Sequence, residues 1–342
     1  MIAQRLSFPE ANRVVLGEFE LADEPQGRQL LLEAEYSVIS AGTEGAAFTG
    51  LELEHPGARG RFKYPRPTTG YGHVAKVLAV GPEVKNVAPG DRVLTLSPHA
   101  SHWLAEEDRL TLKLDPQLDG KRAVFIRMAG VGITAVRRSS VEVGDTVAVI
   151  GLGLVGNFAA QIFRLQGAEV MGLDLCPHRL EQARECGIPF VGNTGERDLV
   201  EIVNEWTDGQ GAYCVVEAIG IPELILQGVQ CTRRLGEIIL LGSPRKMVTT
   251  AVTPMLSRIH LQGIRMIGAL EWVYSIPPNP ALKTSILGNY AQIQRWISDG
   301  RLQVDPLRTH VLSPAECQRA YDGLIHEKDT YTGVVFDWSL LG

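Results

Sequence analysis

The hydrophobic period of the chain changes twice within residues 146–174. TVAVI at 146–150 is a short apolar run rich in β-branched residues, the pattern of a buried strand. Residues 157–166 take up a helical spacing, Gly167 stops it, and 169–173 reads as a second strand ending at Asp174. The alternation continues downstream, with helices predicted at 177–185, 198–206 and 222–234 and strands at 213–218, 237–241 and 264–267. Strands alternating with helices predict a parallel, doubly wound sheet.

Residues 1–123 read instead as β-rich, with strands at 29–39, 73–80 and 92–96. A turn is expected at 40–44, a Gly/Pro/Arg-rich surface loop at 56–67, and a loop or strand edge at 97–107. A helix at 125–140 leads into the alternating region. Beyond it come a proline-rich break at 275–280, helices at 282–299 and within 312–324, and a closing strand within 330–338.

The turn after the first strand of the alternating region carries G-x-G-x-x-G at Gly151, Gly153 and Gly156. In a dinucleotide-binding unit the first glycine permits the tight turn, the second lets a pyrophosphate approach the backbone, and the third lets helix lie against strand. Leu154 and Val155 open the helix, whose N-terminal N–H groups suit phosphate. Asp174, about eighteen residues past Gly156, can accept from a ribose diol, and its charge repels a 2′-phosphate. These residues point to NAD rather than NADP. No G-x-x-x-x-G-K-[ST] occurs, which speaks against a P-loop NTPase.

Composition narrows the setting. A chain of 342 residues suggests two domains, and a net charge of −6 without a basic run offers nothing to nucleic acid or an anionic membrane. No apolar stretch is long enough to span a bilayer, and the N-terminus shows no secretory signal. The five cysteines lack C-x-x-C spacing and all lie at or after Cys176, so a reducing, cytoplasmic location is expected.

The ordered series Gly42-Thr43-Glu44, Gly70-Tyr71-Gly72, Pro89-Gly90-Asp91-Arg92-Val93, the glycine fingerprint, Glu217-Ala218-Ile219-Gly220, Leu241-Gly242-Ser243 and Pro306-Leu307-Arg308-Thr309-His310 resembles the medium-chain dehydrogenase/reductase superfamily. The resemblance covers nearly the whole chain. It implies an α/β protein with a GroES-like β-rich catalytic domain at 1–127 and 269–342 and a Rossmann NAD-binding domain at 128–268. It also implies a cleft between them, with the nicotinamide near Ala218, Leu241 and Gly242. The last strand of the Rossmann sheet, 264–267, is expected to pair with its copy in a homodimer or a dimer of dimers.

The departures from the pattern carry as much information. Where zinc-dependent relatives place a cysteine, this chain has Ser40 or Ala41; where they place the histidine and glutamate of G-H-E, it has Tyr71 and Gly72. The position usually written E-P-L looks like Arg127-Met128-Ala129, and no cysteine follows Gly90-Asp91-Arg92-Val93. Thiolate and imidazole ligands are both gone, so no metal is expected. The chain looks most like the zinc-lacking branch around bacteriochlorophyllide a dehydrogenase.

Without zinc, a hydride transfer at a carbinol carbon needs other donors at the oxygen. The resemblance makes Thr43 the relay hydroxyl and puts the Tyr71 ring in the place of an imidazole ligand; each is equally well a structural residue, a turn hydroxyl or a void-filling aromatic. A cation near Tyr71 would favour phenolate, and Arg127 is the candidate. His99 and His102 are candidate acid–base groups, and Glu44 is read as holding the local backbone. Trp103 and Trp272 are read as pocket walls or core, His73 is left unassigned, and Cys176 is expected to be inert. The function expected is zinc-independent, NAD-dependent transfer of hydride to or from a secondary alcohol or ketone (EC 1.1.1.-), the partner being a small sugar, cyclitol or specialised metabolite. The alternatives are a quinone or enoyl reductase, against which Asp174 speaks, and a non-catalytic cofactor-binding protein.

Overall fold

The computed structural model describes residues 1–51, 63–245 and 247–341. The chain begins with a hairpin, β1 (Ile2–Glu10) and β2 (Arg13–Glu20), followed by β3 (Gln29–Val38) and a helix at Ala41–Thr49. Next come β4 (His73–Val80), β5 (Arg92–Thr95), β6 (His102–Glu106) and β7 (Thr111–Lys113), then helices Gly120–Ala123 and Ile126–Arg138. The alternating region supplies β8 (Thr146–Ile150), β9 (Glu169–Asp174), β10 (Phe190–Asn193), β11 (Ala212–Glu217), β12 (Thr232–Leu240) and β13 (Arg265–Gly268). Helices Leu154–Gln166, Pro177–Glu185, Leu199–Trp206, Pro222–Cys231 and Thr253–Gln262 lie between these strands. Helix Ile286–Ser298, β14 (Arg308–Leu312), helix Cys317–His326 and β15 (Gly333–Asp337) close the chain.

The chain divides into two units: residues 1–127, 274–300 and 308–342, and residues 128–273 and 301–307. Residues 269–273 and 301–307 therefore group with the alternating unit, not with the β-rich one as the sequence reading had it.

In the first unit β14-β15-β3-β4-β5-β7 run side by side, and β6 also pairs with β3. Leu30 and Leu32 of β3 meet Ala75, Val77 and Val93 in one apolar cluster. A second cluster joins Leu6 and Phe8 of the hairpin to Phe48, Tyr321 and Phe336.

In the second unit the sheet is parallel, in the order β10-β9-β8-β11-β12-β13. The order reverses between β8 and β11, so the crevice beyond their C-terminal ends is the topological switch point at which such sheets bind ligands. Alternation along β8 explains the layering. Val147 and Val149 pack on one face of the sheet, and Ala148 and Ile150 on the other.

Several expected boundaries move. Residues 41–44 are not a turn, because a helix starts at Ala41. Glu44 accepts the Ser40 N–H through its side chain, which fastens that helix start. The 222–234 helix ends at Cys231, where the Thr232 hydroxyl donates to the Gly228 carbonyl, and residues 232–240 extend as β12. The 282–299 helix starts at Ile286, since Ser285 caps it by accepting the Gly288 N–H. The hairpin β1–β2, β10 and helix Thr253–Gln262 had no individual prediction. Most of the expected 56–67 loop lies outside the described residues. Among the described residues no helix is long and apolar enough to cross a membrane, and all five cysteines are free and buried.

Candidate functional site: a glycine turn and a guanidinium–tyrosine cluster

The glycine turn sits at the switch point of the second unit. Gly151 adopts φ +93°, a conformation that favours glycine, and a Cβ on it would lie 2.3 Å from Ile219 Cγ1. A Cβ on Gly156 would lie 1.8 Å from the Gly151 carbonyl oxygen, so helix Leu154–Gln166 can approach the strand only because this residue has no side chain. Gly153 differs, since a Cβ there meets nothing within 4 Å. Gly153 is also the N-cap of that helix and offers no side-chain acceptor, so Leu154 and Val155 open a first turn uncapped by any side chain.

Asp174 lies beside this turn. Its Oδ2 accepts the Leu152 N–H at 2.8 Å and its Oδ1 the Cys176 N–H at 2.9 Å, with Arg179 Nη1 3.8 Å from Oδ2. Opposite, the fully buried Glu217 accepts the Ile219 and Gly220 N–H groups and folds the turn that contains Ala218. Burial raises the Glu217 carboxyl above its ordinary value, against the pull of those hydrogen bonds. A Cβ on Gly242 would sit 2.1 Å from the Gly220 nitrogen, so the loops after β11 and β12 touch, with Leu241 beside them. The open approach at Gly153, the uncapped helix start and the acid at the end of β9 fit a dinucleotide.

In the first unit the structure brings together Ser40, Tyr71 and Arg127. The Tyr71 hydroxyl donates to Ser40 Oγ. The Arg127 guanidinium lies over the Tyr71 ring, 4.7 Å from its centre, and Nη1 donates to the Tyr290 hydroxyl at 2.7 Å. The cation therefore faces the π-face of Tyr71. Tyr290, on helix Ile286–Ser298, is a member of this cluster that sequence reasoning missed. It shares an amphipathic helix with another aromatic, Trp296, and carries no local signal. Thr43 is exposed on the first turn of helix Ala41–Thr49.

The two histidines do not join this cluster. His99 is fully buried, with Nε2 3.1 Å from Glu44 Oε2 and Nδ1 2.7 Å from Ser37 Oγ. Glu44 also accepts from Thr69 at 2.8 Å and Tyr321 at 2.5 Å, and Ser37 Oγ accepts the Trp338 indole N–H at 3.0 Å. Burial opposes ionisation of Glu44, but the His99 ring beside it and the hydrogen bonds from His99, Tyr321 and the Ser40 N–H hold its carboxyl below the usual range. With both ring nitrogens engaged, His99 is tied into a buried network that fixes Ser40. His102 lines a separate cavity of about 340 Å³ with Gln4, Glu33, Ser101 and Trp338. Trp103 packs on Phe19 of the hairpin, and Trp272 is 48% exposed, which excludes the core reading for it.

The chain is similar to known dehydrogenases. A family model described as zinc-binding dehydrogenase matches residues 155–277. The uncharacterized zinc-type alcohol dehydrogenase-like protein YdjJ of Escherichia coli K12 is 23% identical over 96% of this chain and 97% of its own. The (R,R)-butanediol dehydrogenase of Bacillus subtilis is 26% identical over 51% of this chain, which covers 58% of that protein. Among solved structures, an alcohol dehydrogenase from E. coli CFT073 complexed with NADH superposes with a TM-score of 0.81 at 16% identity, covering 98% of this chain and 99% of its own. A dehydrogenase of Sinorhizobium meliloti 1021 bound to NADP gives 0.80 at 18% identity, with the same coverage.

Residues 155–277 thus match the zinc-binding dehydrogenase family, and the fold is that of the alcohol dehydrogenase structures. The first unit has the GroES-like fold and the second the Rossmann fold. The metal in the matching family's name can be tested against the residues present. Zinc takes thiolate, imidazole and carboxylate donors. Ser40, Tyr71 and Arg127 supply two hydroxyls and a cation, and this set does not fit zinc.

Proposed function

We propose that the chain is an oxidoreductase that moves hydride between NAD(H) and a secondary alcohol or its ketone without zinc. The observation that carries this reading is an open glycine turn beside Asp174 in the second unit, and the hydroxyl–guanidinium cluster at 40, 71 and 127 in the first supports it. The substrate class proposed is a small polyhydroxylated or specialised metabolite, in keeping with the alcohol named for the butanediol dehydrogenase relative.

When bound, the nicotinamide takes up or returns the hydride. The first turn of helix Leu154–Gln166 would hold the pyrophosphate, Asp174 would accept from the adenosine ribose hydroxyls, and Ala218, Leu241 and Gly242 would border the nicotinamide. In the oxidation direction the carbinol C–H bond breaks and its electron pair leaves with the hydride. The O–H bond gives up its proton, and the C=O bond forms. The substrate O–H would donate to the Tyr71 oxygen, which takes the proton as it passes its own to Ser40 Oγ and Ser40 releases one to water, while Arg127 supplies positive charge over the Tyr71 ring. Thr43 assists from the helix start.

A turnover screen against alcohols and ketones, with NAD(H), NADP(H) and added EDTA, tests this reading. Chelator-insensitive turnover with NAD(H) is expected. Loss of activity to EDTA would overturn zinc independence, and binding without turnover of any member would favour a non-catalytic protein.

The same reading includes a homodimer. β13 ends the Rossmann sheet with an exposed edge, and Met266, Leu270 and Trp272 are exposed beside it. Pairing with a two-fold copy would cover that edge. Light scattering at micromolar concentration should give at least twice the chain mass, a dimer or a dimer of dimers, and a monomer would count against it.

A further inference from the structure

The glycine at position 72 and the arginine at position 127 are sterically matched. A Cβ at Gly72 would lie 2.9 Å from Val38 Cγ1, 3.1 Å from Arg127 Cγ and 3.3 Å from Arg127 Cβ. Any side chain at 72 would therefore press on the stem of Arg127. That stem carries a guanidinium which is 2% exposed, and a buried charge has to be held in place. Two rings are among its partners: the face of Tyr71 at 4.7 Å and the hydroxyl of the fully buried Tyr290 at 2.7 Å. Arginine suits this task and lysine does not, because a planar guanidinium can stack on one ring while donating in its own plane to the other.

We propose that Arg127 is the fixed positive charge of this site, standing where the superfamily places its metal, and that Tyr290 is the positioning residue that aims it. Gly72 is the space that admits it. The proposal rests on the zinc-independent reading above and adds to it the residue that makes zinc superfluous. It also says why zinc is excluded: a divalent cation at Ser40 and Tyr71 would face a guanidinium that lies 4.7 Å from the Tyr71 ring centre, and like charges at such range repel. Without a Lewis acid, charge developing on a substrate oxygen needs another preorganised positive group, and a charge already buried and oriented needs no rearrangement to serve.

The test restores metal ligands and uses cobalt(II) as the probe. In the full-length chain, Ser40→Cys with Tyr71→His supplies a thiolate and an imidazole at adjacent positions. With Arg127 in place, cobalt should not bind stoichiometrically, as read by the thiolate-to-cobalt absorbance. Adding Arg127→Met, which keeps an apolar stem and removes the charge, should tighten cobalt binding by at least about tenfold. Equal binding with and without Arg127, or no binding after its removal in a chain that still melts cooperatively and binds NADH, would overturn the proposal.

Tyr290 is read separately. In the chain carrying both new ligands, Tyr290→Phe should raise cobalt affinity part of the way, because it frees the guanidinium to move off. On the otherwise unaltered chain it should lower kcat about tenfold with KM for NADH unchanged, and Arg127→Lys should lower kcat at least as far. A fall in melting temperature with neither effect would make Tyr290 merely structural and sink its positioning role. If the parent turns over no alcohol or ketone, the oxidoreductase reading fails by itself, while the cobalt measurement still decides whether Arg127 excludes the metal.

Discussion

The glycine turn of the second unit and the Ser40–Tyr71–Arg127 cluster of the first are built on opposite principles. The turn is made of backbone, and its key residues act by lacking side chains. At Gly156 a Cβ would strike the Gly151 carbonyl oxygen at 1.8 Å, while at Gly153 it would strike nothing. The cluster is made of side chains brought from positions 40, 71, 127 and 290, and its members act through hydroxyls and a guanidinium. A backbone site tolerates no added atom along the ligand's path. A side-chain site can exchange one chemistry for another as long as the space is kept. On the function proposed above, this difference is what lets a fold keep its glycine turn while its metal ligands give way to a cation.

The sharpest way to break this comparison is to add atoms at the turn. Gly153 sits at φ −60°, ψ 179°, extended backbone that any residue adopts. Gly153→Val should therefore fold normally, with an unchanged melting temperature, and lose NADH binding altogether. Gly156→Val should instead lose on the order of 3 kcal/mol of stability from overpacking. A normal NADH dissociation constant for Gly153→Val, by fluorescence titration, would mean that the pyrophosphate does not cross this turn.

Acid should separate the two units next. In the first, burial pushes His73 down to about 4, despite its hydrogen bond to the Ala100 carbonyl. A base depressed in the folded state contributes stability that is present above its ordinary 6.5 and is lost as pH falls from 6.5 toward 4. That loss is on the order of 3 kcal/mol. Glu44, held low, adds a second loss as pH falls below the usual carboxylate range. In the second unit the sign reverses. Burial raises Glu217 and Glu237, so both bind protons in the folded state first, and falling pH relieves their desolvation. Hydrogen exchange at pH 7 and 4.5 should show protection lost in the first unit and retained in the second. His73→Gln should flatten the first unit's response between those values, and a uniform loss across both units would refute the contrast.

At the side-chain site itself, Tyr71→Phe should lower kcat about a hundredfold, near 2.7 kcal/mol, with NADH affinity intact. Thr43→Val should act in the same direction and less strongly, as its exposed place on the helix start suggests. Wild-type rates in both variants would place the donor outside this cluster. His99 could not replace it, because both of its ring nitrogens are already bound to Ser37 and Glu44.

The same contrast governs what the sequence could reveal. Every part of the turn falls within residues 146–174, and the spacing of three glycines and an acid is its signal, so strand, turn, helix and acid were all legible there. The departures at Ser40, Tyr71 and Gly72 were legible too, because a motif shows its missing letters. What no spacing could convey was which departures meet in space. Arg127 was expected to act on the Tyr71 hydroxyl and lies over its ring. Tyr290, far along the chain, gave no sign at all. His102 was a candidate acid–base group and lines another cavity, since pairing of β6 with β3 carries it toward Gln4 and Glu33. The helix that starts at Ala41 was hidden for a related reason. Its N-terminal fastening is Glu44, whose partners His99 and Tyr321 lie 55 and 277 residues away.

Cofactor choice should show the smallest effect, because here the two principles overlap in one residue. Asp174 is a side chain serving a backbone site. Its oxygens already accept the Leu152 and Cys176 N–H groups, which brace the turn, yet each carboxylate oxygen has a second lone pair for a ribose hydroxyl. Its charge opposes a 2′-phosphate, and Arg179, 3.8 Å from Oδ2, partly offsets that charge. The net preference for NADH over NADPH should therefore be modest, about tenfold or 1.4 kcal/mol. Arg179→Gln should widen the gap by removing the offsetting cation. Asp174→Asn should narrow it, and it should also weaken NADH, because an amide oriented to accept from Leu152 must turn its NH2 toward the Cys176 N–H. Equal affinities for the two cofactors in the parent chain would remove Asp174 from the discrimination and leave it only the bracing role.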